Sequence, residues 1–419
     1  MKTLIIGGGL LGLSSAQLLL EKGSEVEILD AREGVGLEAS FANGGLLTAA
    51  MSAPWNEPGV YRQLLTSLLN PHAAMRLGLG ALPSLFFWGL GFLRHASVRH
   101  YHEACTANYR LANYSINQTN ALRNRLGLQY GAKKTGALKL FRDPLALATA
   151  KATAEYLADY GLPFSLLDDA DATIAVEPQL TAIRDQIVGA LHFPQDECGD
   201  AHLFCCELEK TIKAAGGTLR TGVSVKQIRI KKGAINGVET NNGFIEADRV
   251  LVTAGVNSPG LLKGLGISLP VKPVKGYSIS LNVEGLQGIP QIPVIDDVLH
   301  VVITPIGDTL RVVGFADFEG FNTQIDSGRI KNLLNVLKTI YPDISAQIEH
   351  SHVHPWAGLR PMSNDGKPFI GQTKVEGLYL NTGHGHLGWT MAVGSAHLTA
   401  DLIMGNVTDI DAIPYKATR

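Results

Sequence analysis

Cysteine is scarce in this chain, and neither sign of charge prevails. Four cysteines stand among 419 residues, at positions 105, 198, 205 and 206, without a C-x-x-C pair or a zinc spacing. That density excludes a disulfide framework and points to a reducing compartment, the cytoplasm. The 36 Lys and Arg against 38 Asp and Glu leave a formal charge of −2, with no long run of one sign. General electrostatic attraction for nucleic acid is therefore excluded. Long hydrophobic runs are missing too. The most apolar stretch, from Ala81 to Leu93 (ALPSLFFWGLGFL), falls short of the ~20 residues that a spanning helix needs. Two uses remain for it: a core or lid helix, or a helix dipping into a membrane surface, with Arg76, Arg94 and Arg99 nearby. The apolar stretch between Leu4 and Leu20 is no signal peptide, because glycines interrupt it and cleavage there would destroy the motif described next. The length itself amounts to about two or three domains of core.

Glycine is what the chain does have, and it is placed. Thr3-Leu4-Ile5-Ile6 reads as a short buried strand and runs directly into Gly7-Gly8-Gly9-Leu10-Leu11-Gly12. A helix rich in Leu and Ala follows to Glu21, Gly23 stops it, and a second strand, Val26-Glu27-Ile28-Leu29, ends on Asp30. Each part suits a dinucleotide: Gly7 permits the tight turn, Gly9 lets backbone approach a pyrophosphate, and Gly12 allows close helix packing. The N–H groups of the helix start face the phosphates. Asp30 follows Gly12 by 18 positions, close to the ~20 at which an acid reaches a ribose hydroxyl.

Behind this unit, Glu38-Ala39-Ser40-Phe41-Ala42-Asn43-Gly44-Gly45-Leu46 is too small and glycine-rich for a core element, and suits backbone lying flat against a ligand. From 51 to about 194 helical patterns (60–69, 98–126, 144–160) alternate with strand-like runs (136–141, 188–193), as in an inserted domain. The nucleotide fold then resumes. Asp200 caps a helix through Ala214, strands are expected at 218–221 and 223–228, and a buried strand at 248–253 enters an Ala254-Gly255 turn. Strand-rich sequence returns over 260–354, with one helix at 327–340. His350, His352 and His354 alternate, but with no carboxylate or cysteine partner in the pattern they read as a solvated strand face; no metal site is expected. Finally Asn381-Thr-Gly-His-Gly-His-Leu-Gly-Trp-Thr390 opens a last helix, whose N-terminal end is electropositive.

Gly7-x-Gly9-x-x-Gly12, Glu38-Ala-Ser-x-Ala-Asn43-Gly-Gly, Gly358-Leu-Arg-Pro361 and the 381–390 segment together resemble the FAD-dependent D-amino-acid oxidase superfamily, the bacterial D-amino-acid dehydrogenases of the respiratory small-subunit type above all. Ala53-Pro-Trp55, Val274-Lys-Gly-Tyr277 and Gly320-Phe-Asn-Thr323 extend the likeness over nearly the whole chain. The resemblance implies an α/β fold: a Rossmann-like FAD-binding domain (1–50, 196–258 and 356–419) with a discontinuous α+β substrate domain (51–195 and 259–355). It implies non-covalent FAD held by Gly7, Gly9, Leu10, Leu11 and Gly12, with Asp30, Ala31 and Arg32 at the adenosine ribose and Val225 beside the adenine. Ala39, Ser40, Asn43, Gly44, Gly45 and Leu46 would line phosphate and flavin, with Ala254 and Gly255 near the pyrophosphate. Gly383, Gly385, His386, Leu387, Gly388, Trp389 and Thr390 would face the flavin pyrimidine edge.

Arg360 is similar to the family arginine that forks onto a substrate carboxylate, a geometry suited to guanidinium, and Tyr277 to a position near the substrate. The implied reaction is hydride transfer from Cα of a D-amino acid to flavin N5, giving an imino acid that hydrolyses to a 2-oxo acid and ammonia. Electrons would pass to a quinone or other carrier, with any membrane contact on the inner face of the bacterial inner membrane. His384 and His386 invite a base role but read better as flavin-edge or packing residues. The same arginine serves oxidases of glycine, sarcosine or D-hydroxyproline, and a flavin-binding electron-transfer subunit without catalysis is a further alternative.

Overall fold

The computed structural model describes residues 1–61, 73–349 and 352–419. Strand β1 (Lys2–Ile6), helix α1 (Leu10–Glu21) and strand β2 (Glu25–Leu29) form the expected βαβ unit, with β1 and β2 parallel. Leu4, Ile5, Ile28 and Leu29 are essentially inaccessible, as strands covered on both faces must be. The six-stranded sheet runs Phe369–Gln372, Leu378–Thr382, Arg249–Val252, β1, β2, Thr218–Arg220, and only Phe369–Gln372 is antiparallel to its neighbour. The last strand of the chain, Leu378–Thr382, thus lies two places from the first. The expected strand over 223–228 is displaced. Val225–Lys231 leaves this sheet and pairs with Ala234–Thr240, which continues to Gly243–Glu246, as a separate three-stranded antiparallel sheet.

The second unit begins with two helices. α2 (Leu82–Arg94) covers most of the apolar stretch singled out above, and α3 (Val98–Leu126) starts on a Ser97 cap and ends at Gly127 in the left-handed region, φ +65°. A nine-stranded mixed sheet follows, built on three long strands: β3 (Val271–Asn282), β4 (Thr309–Phe318) and β5 (Val353–Ser363). β3 lies between β5 and β4, antiparallel to both. One face of this sheet buries Ile279, Leu281, Val301, Ile303 and Val312 against Leu333, Leu337 and Ile340 of the helix Ser327–Ile340. The other face turns toward the nucleotide sheet. Because β5 is a strand of this second sheet through Ser363, residues 356–363 do not sit with the nucleotide sheet, and the crossing expected at 355 comes eight residues later. Strand pairing with β3 carries the chain past the boundary that the resemblance implied. The chain closes with α4 (Ala392–Met404), which packs on α1 and α3.

Most of the helix expected over 60–69, and His350 of the histidine series, lie outside the described residues; His352 and His354 are exposed. Among the described residues no helix is long and apolar enough to cross a membrane, and no group of three His, Cys, Asp or Glu is placed to hold a metal. α2 is two-faced instead. Leu85, Trp88 and Phe92 are buried, worth ~1.5–3 kcal/mol each, and the Trp88 indole N–H donates to the carbonyls of Pro270 at 3.1 Å and Met362 at 3.2 Å. Its opposite face leaves Phe86, Phe87, Leu90 and Leu93 exposed.

Candidate functional site

Between the two sheets runs a cleft of ≈ 1830 Å³, bordered by both ends of the chain and by the inner face of the second sheet. Its floor at one end is the glycine turn. Gly7 has φ +113°, and a Cβ there would lie 2.8 Å from the Thr253 carbonyl oxygen. A Cβ on Gly12 would come within 1.9 Å of the Gly7 carbonyl oxygen, so the helix can start this close to β1 only without side chains. The α1 cap, Gly9, has no side chain to satisfy the first turn; the one side-chain acceptor there is Ser40 Oγ, 3.3 Å from Leu10 N–H. The helix start therefore lies at the cleft without a capping side chain of its own, the arrangement that suits phosphate.

Asp30 sits at the tip of β2. Its carboxylate accepts from Gly8 N–H at 2.6 Å and Arg32 N–H at 2.8 Å, while burial pushes its pKa upward against those two bonds. Arg32 pairs with Glu38 at the rim. The loop at 43–45 is clamped from behind: Thr304 Oγ1 donates to Gly44 O at 2.8 Å, and Arg311 donates to Asn43 O at 3.0 Å while pairing with Asp200 at 3.1 Å. Thr48 N–H donates to Thr390 Oγ1 at 3.2 Å, which ties the front of the chain directly to the 381–390 segment.

The structure brings nearly all the candidate residues to this cleft: Gly7, Gly9, Leu10, Leu11, Asp30, Ala31, Arg32, Ala39, Ser40, Asn43 to Leu46, Val225, Ala254, Gly255, and Gly385 through Thr390. Two candidates do not border it. Gly12 packs beneath the turn, and a Cβ on Gly383, φ +82°, would meet Phe369 and Val271, so both act by close packing instead of by contact with a ligand.

Arg360 projects from β5 into the cleft. One guanidinium nitrogen donates to the Phe315 carbonyl at 2.9 Å, and the group lies 5.7 Å from the centre of the Trp55 ring. It makes no ion pair with a described carboxylate. Burial pushes its pKa down, to about 10, with Asp317 partly opposing that; it remains cationic at neutral pH. The group is half-buried, and a partly desolvated cation without a counter-ion is stabilised when something anionic arrives to pair with it. Tyr277 stands on β3. It borders the cleft, yet its hydroxyl donates to Asp317 at 3.0 Å, inside a cluster where Asp317 also pairs with Arg329 and Arg76. A hydroxyl so held has no proton to offer a substrate.

The two histidines are neutral. His384 is bonded to Ser395 Oγ at 2.8 Å and burial lowers its pKa to about 3; His386 is bonded to the Met51 carbonyl at 3.1 Å, stacks on Trp55 at 5.3 Å, and burial lowers its pKa to about 4. His384 Nδ1 and Trp389 Nε1, both on cleft-lining residues, are buried with no hydrogen-bond partner, and buried polar atoms of that kind require one. The glycine turn, the helix start without a side-chain cap and the orphaned polar atoms fit a flavin dinucleotide, which these residues would hold. Sequence reasoning missed Phe315, a non-glycine residue at φ +66°, and the roles of Trp55 and Trp356 in walling the site. No sequence signal marks a positive φ at phenylalanine; the two tryptophans stand beside quoted motifs.

The family model described as DAO, FAD dependent oxidoreductase, matches residues 2–402. A D-amino acid dehydrogenase of Methylobacterium radiotolerans is 38% identical over 411 residues, covering 98% of this chain and 97% of that one. One of Xanthobacter autotrophicus is 38% identical over 420 residues, covering 100% and 99%. Among solved structures, L-proline dehydrogenase from P. horikoshii superposes with a TM-score of 0.79 at 18% identity, covering 100% of this chain and 97% of that one, a likeness of fold.

Proposed function

Because this chain belongs to the FAD dependent oxidoreductase family, we propose that it oxidises D-amino acids to 2-oxo acids and ammonia and delivers the electrons to a quinone or similar carrier. Arg360 carries this reading: a cationic fork, half-buried, with no described carboxylate beside it and opening on the cleft, suits a carboxylate bonded through two parallel N–H groups. Bound FAD supplies the two-electron acceptor for the hydride that leaves Cα. The chain's own part is orientation and charge. Arg360 fixes the carboxylate end and the Trp55 ring covers the guanidinium. His384 and His386, uncharged, put no competing cation near the substrate amine. The N-terminal end of α4, entered through Thr390, favours negative charge at the far side of the cleft.

The carrier is a separate matter, and α2 bears on it. Phe86 is 60% exposed, Phe87 84% and Leu90 53%, an apolar face that no described residue covers. A quinone dissolved in a bilayer is reached by an enzyme that lies on the membrane surface, and this face suits that contact. Vesicles of anionic lipid should pull down the wild-type protein and leave a Phe86→Ser, Phe87→Ser variant in solution; equal recovery of both would reject the contact.

The central test is flavin bleaching without oxygen across paired D- and L-amino acids. D-alanine and its homologues should bleach the purified holoprotein where their enantiomers do not. A quinone analogue should then restore the colour faster than admitted oxygen does. Rapid restoration by oxygen would mark an oxidase, and bleaching by no amino acid would leave an electron-transfer subunit.

A further inference from the structure

The reading of Arg360 as the carboxylate anchor leaves open what lets its half-buried guanidinium lie against a β-sheet. On β5, Trp356, Gly358 and Arg360 alternate and so share one face. In the register of β3 and β5, Gly358 stands directly opposite Gly276. Both glycines are covered by a side chain where a methyl group would be. A Cβ on Gly276 would fall 2.4 Å from an Arg360 guanidinium nitrogen and 2.5 Å from its central carbon. A Cβ on Gly358 would fall 2.0 Å from Cη2 of Trp356 and 2.4 Å from Cζ2. One rung of the sheet therefore holds the cation on one side and the indole on the other, both pressed onto bare backbone. Neither glycine has a positive φ, so the backbone here does not demand glycine; only the space above it does. From the other side, Phe315 at φ +66° directs its carbonyl at Arg360, and its ring lies 4.6 Å from the Arg329 guanidinium.

We infer that the Gly276–Gly358 rung is the specificity floor of the site. Gly276 sets the depth of Arg360 and thereby the affinity for the substrate carboxylate. Gly358 sets the depth of Trp356 and thereby the room for the substrate side chain. The inference rests on the proposed role of Arg360, and it assigns to two backbone positions two separable effects. Neither glycine touches the substrate; they are positioning residues.

The experiment uses purified holoprotein, with flavin content and thermal midpoint measured for each variant. Gly276→Ala lifts Arg360, so KM for every amino-acid substrate, and the Kd of an amine-free carboxylate read from the flavin difference spectrum, should rise about tenfold or more by similar factors. Gly358→Ala lifts Trp356 into the cleft, so kcat/KM for D-phenylalanine should fall several-fold further than for D-alanine. Should the alanine variants not accumulate, Trp356→Phe tests the same floor from above and should shift preference toward the bulky side chain. In the Arg360→Lys background, whose head group needs no flat slot, adding Gly276→Ala should cost little more. Equal factors for small and bulky substrates in Gly358→Ala and Trp356→Phe, or undiminished carboxylate affinity in Gly276→Ala, would overturn the inference. A wild-type protein that binds no amino acid would instead defeat the functional reading on which it rests.

Discussion

Arg329 and Arg360 meet at one residue, Phe315, one buried and the other half-buried, and are held in opposite ways. Arg329 is 2% exposed and is matched by the Asp317 carboxylate, which it reaches through Nε at 3.2 Å as well as through a terminal nitrogen. It also donates to the Ala73 carbonyl at 2.8 Å. Arg360 has a carbonyl and an aromatic face, and no carboxylate. Desolvating a guanidinium costs several kcal/mol. For Arg329 the fold itself supplies the offsetting charge; for Arg360, under the proposed function, the substrate carboxylate would. A paired buried cation is thus part of the scaffold, and an unpaired one facing a cleft is a receptor.

The comparison breaks most sharply at Arg360. Two charge-assisted hydrogen bonds at ~1.5–3 kcal/mol each, with tenfold per ~1.4 kcal/mol, give Arg360→Ala a loss on the order of 100-fold or more in kcat/KM, carried chiefly by KM. Its thermal midpoint should hold or rise, since an uncompensated cation has been removed. Unchanged KM across D-amino acids would end the receptor role. Arg329→Met should do the reverse. Breaking a buried pair costs roughly 3–5 kcal/mol, read as a lower denaturant midpoint, while the KM of the molecules that remain folded moves little. If both variants lost stability alike, the distinction between scaffold and receptor would be wrong.

How far the sequence foretold this depends on whether a feature is local. The turn at Gly7 to Gly12 and the tip at Asp30 were legible because strand, turn, helix and acid follow each other within 30 residues. α3 was legible from its periodicity, a Ser97 cap and Gly127. What depends on pairing between distant strands was not. The 356–363 segment carries Arg360 on the second sheet because β5 aligns with β3 some eighty positions earlier, and no local pattern encodes that register. Tyr277 reads as a residue near the substrate, but its hydroxyl is held by Asp317, on which Arg329 and Arg76 converge from two other elements. The face of α2 that packs and the face that does not are equally apolar, so composition alone could not divide them.

His386 offers a third way to bury a potential cation, which is to give up the charge, and it sharpens the comparison by its pH dependence. It stacks on the same Trp55 ring that faces Arg360, and Arg360 adds to the burial that holds its pKa at about 4. In the unfolded chain a histidine titrates near ~6.5. Between those values the unfolded state binds a proton that the folded state refuses, so stability is full above pH ~6.5 and declines as the pH falls toward 4. His384, held at about 3 by burial, extends the decline further. His386→Asn should therefore flatten the loss of thermal midpoint between pH 6.5 and about 4 relative to wild type, a smaller effect than either arginine change. Carboxylate affinity should show no histidine limb above pH ~5, because the ring beside Arg360 is already neutral there. A wild-type affinity that weakens as the pH rises from 5 to 8 would mean the imidazole carries charge in the folded protein and shares the anion with Arg360. The site would then hold two cations, and its difference from the Arg329 cluster would be one of number and not of kind.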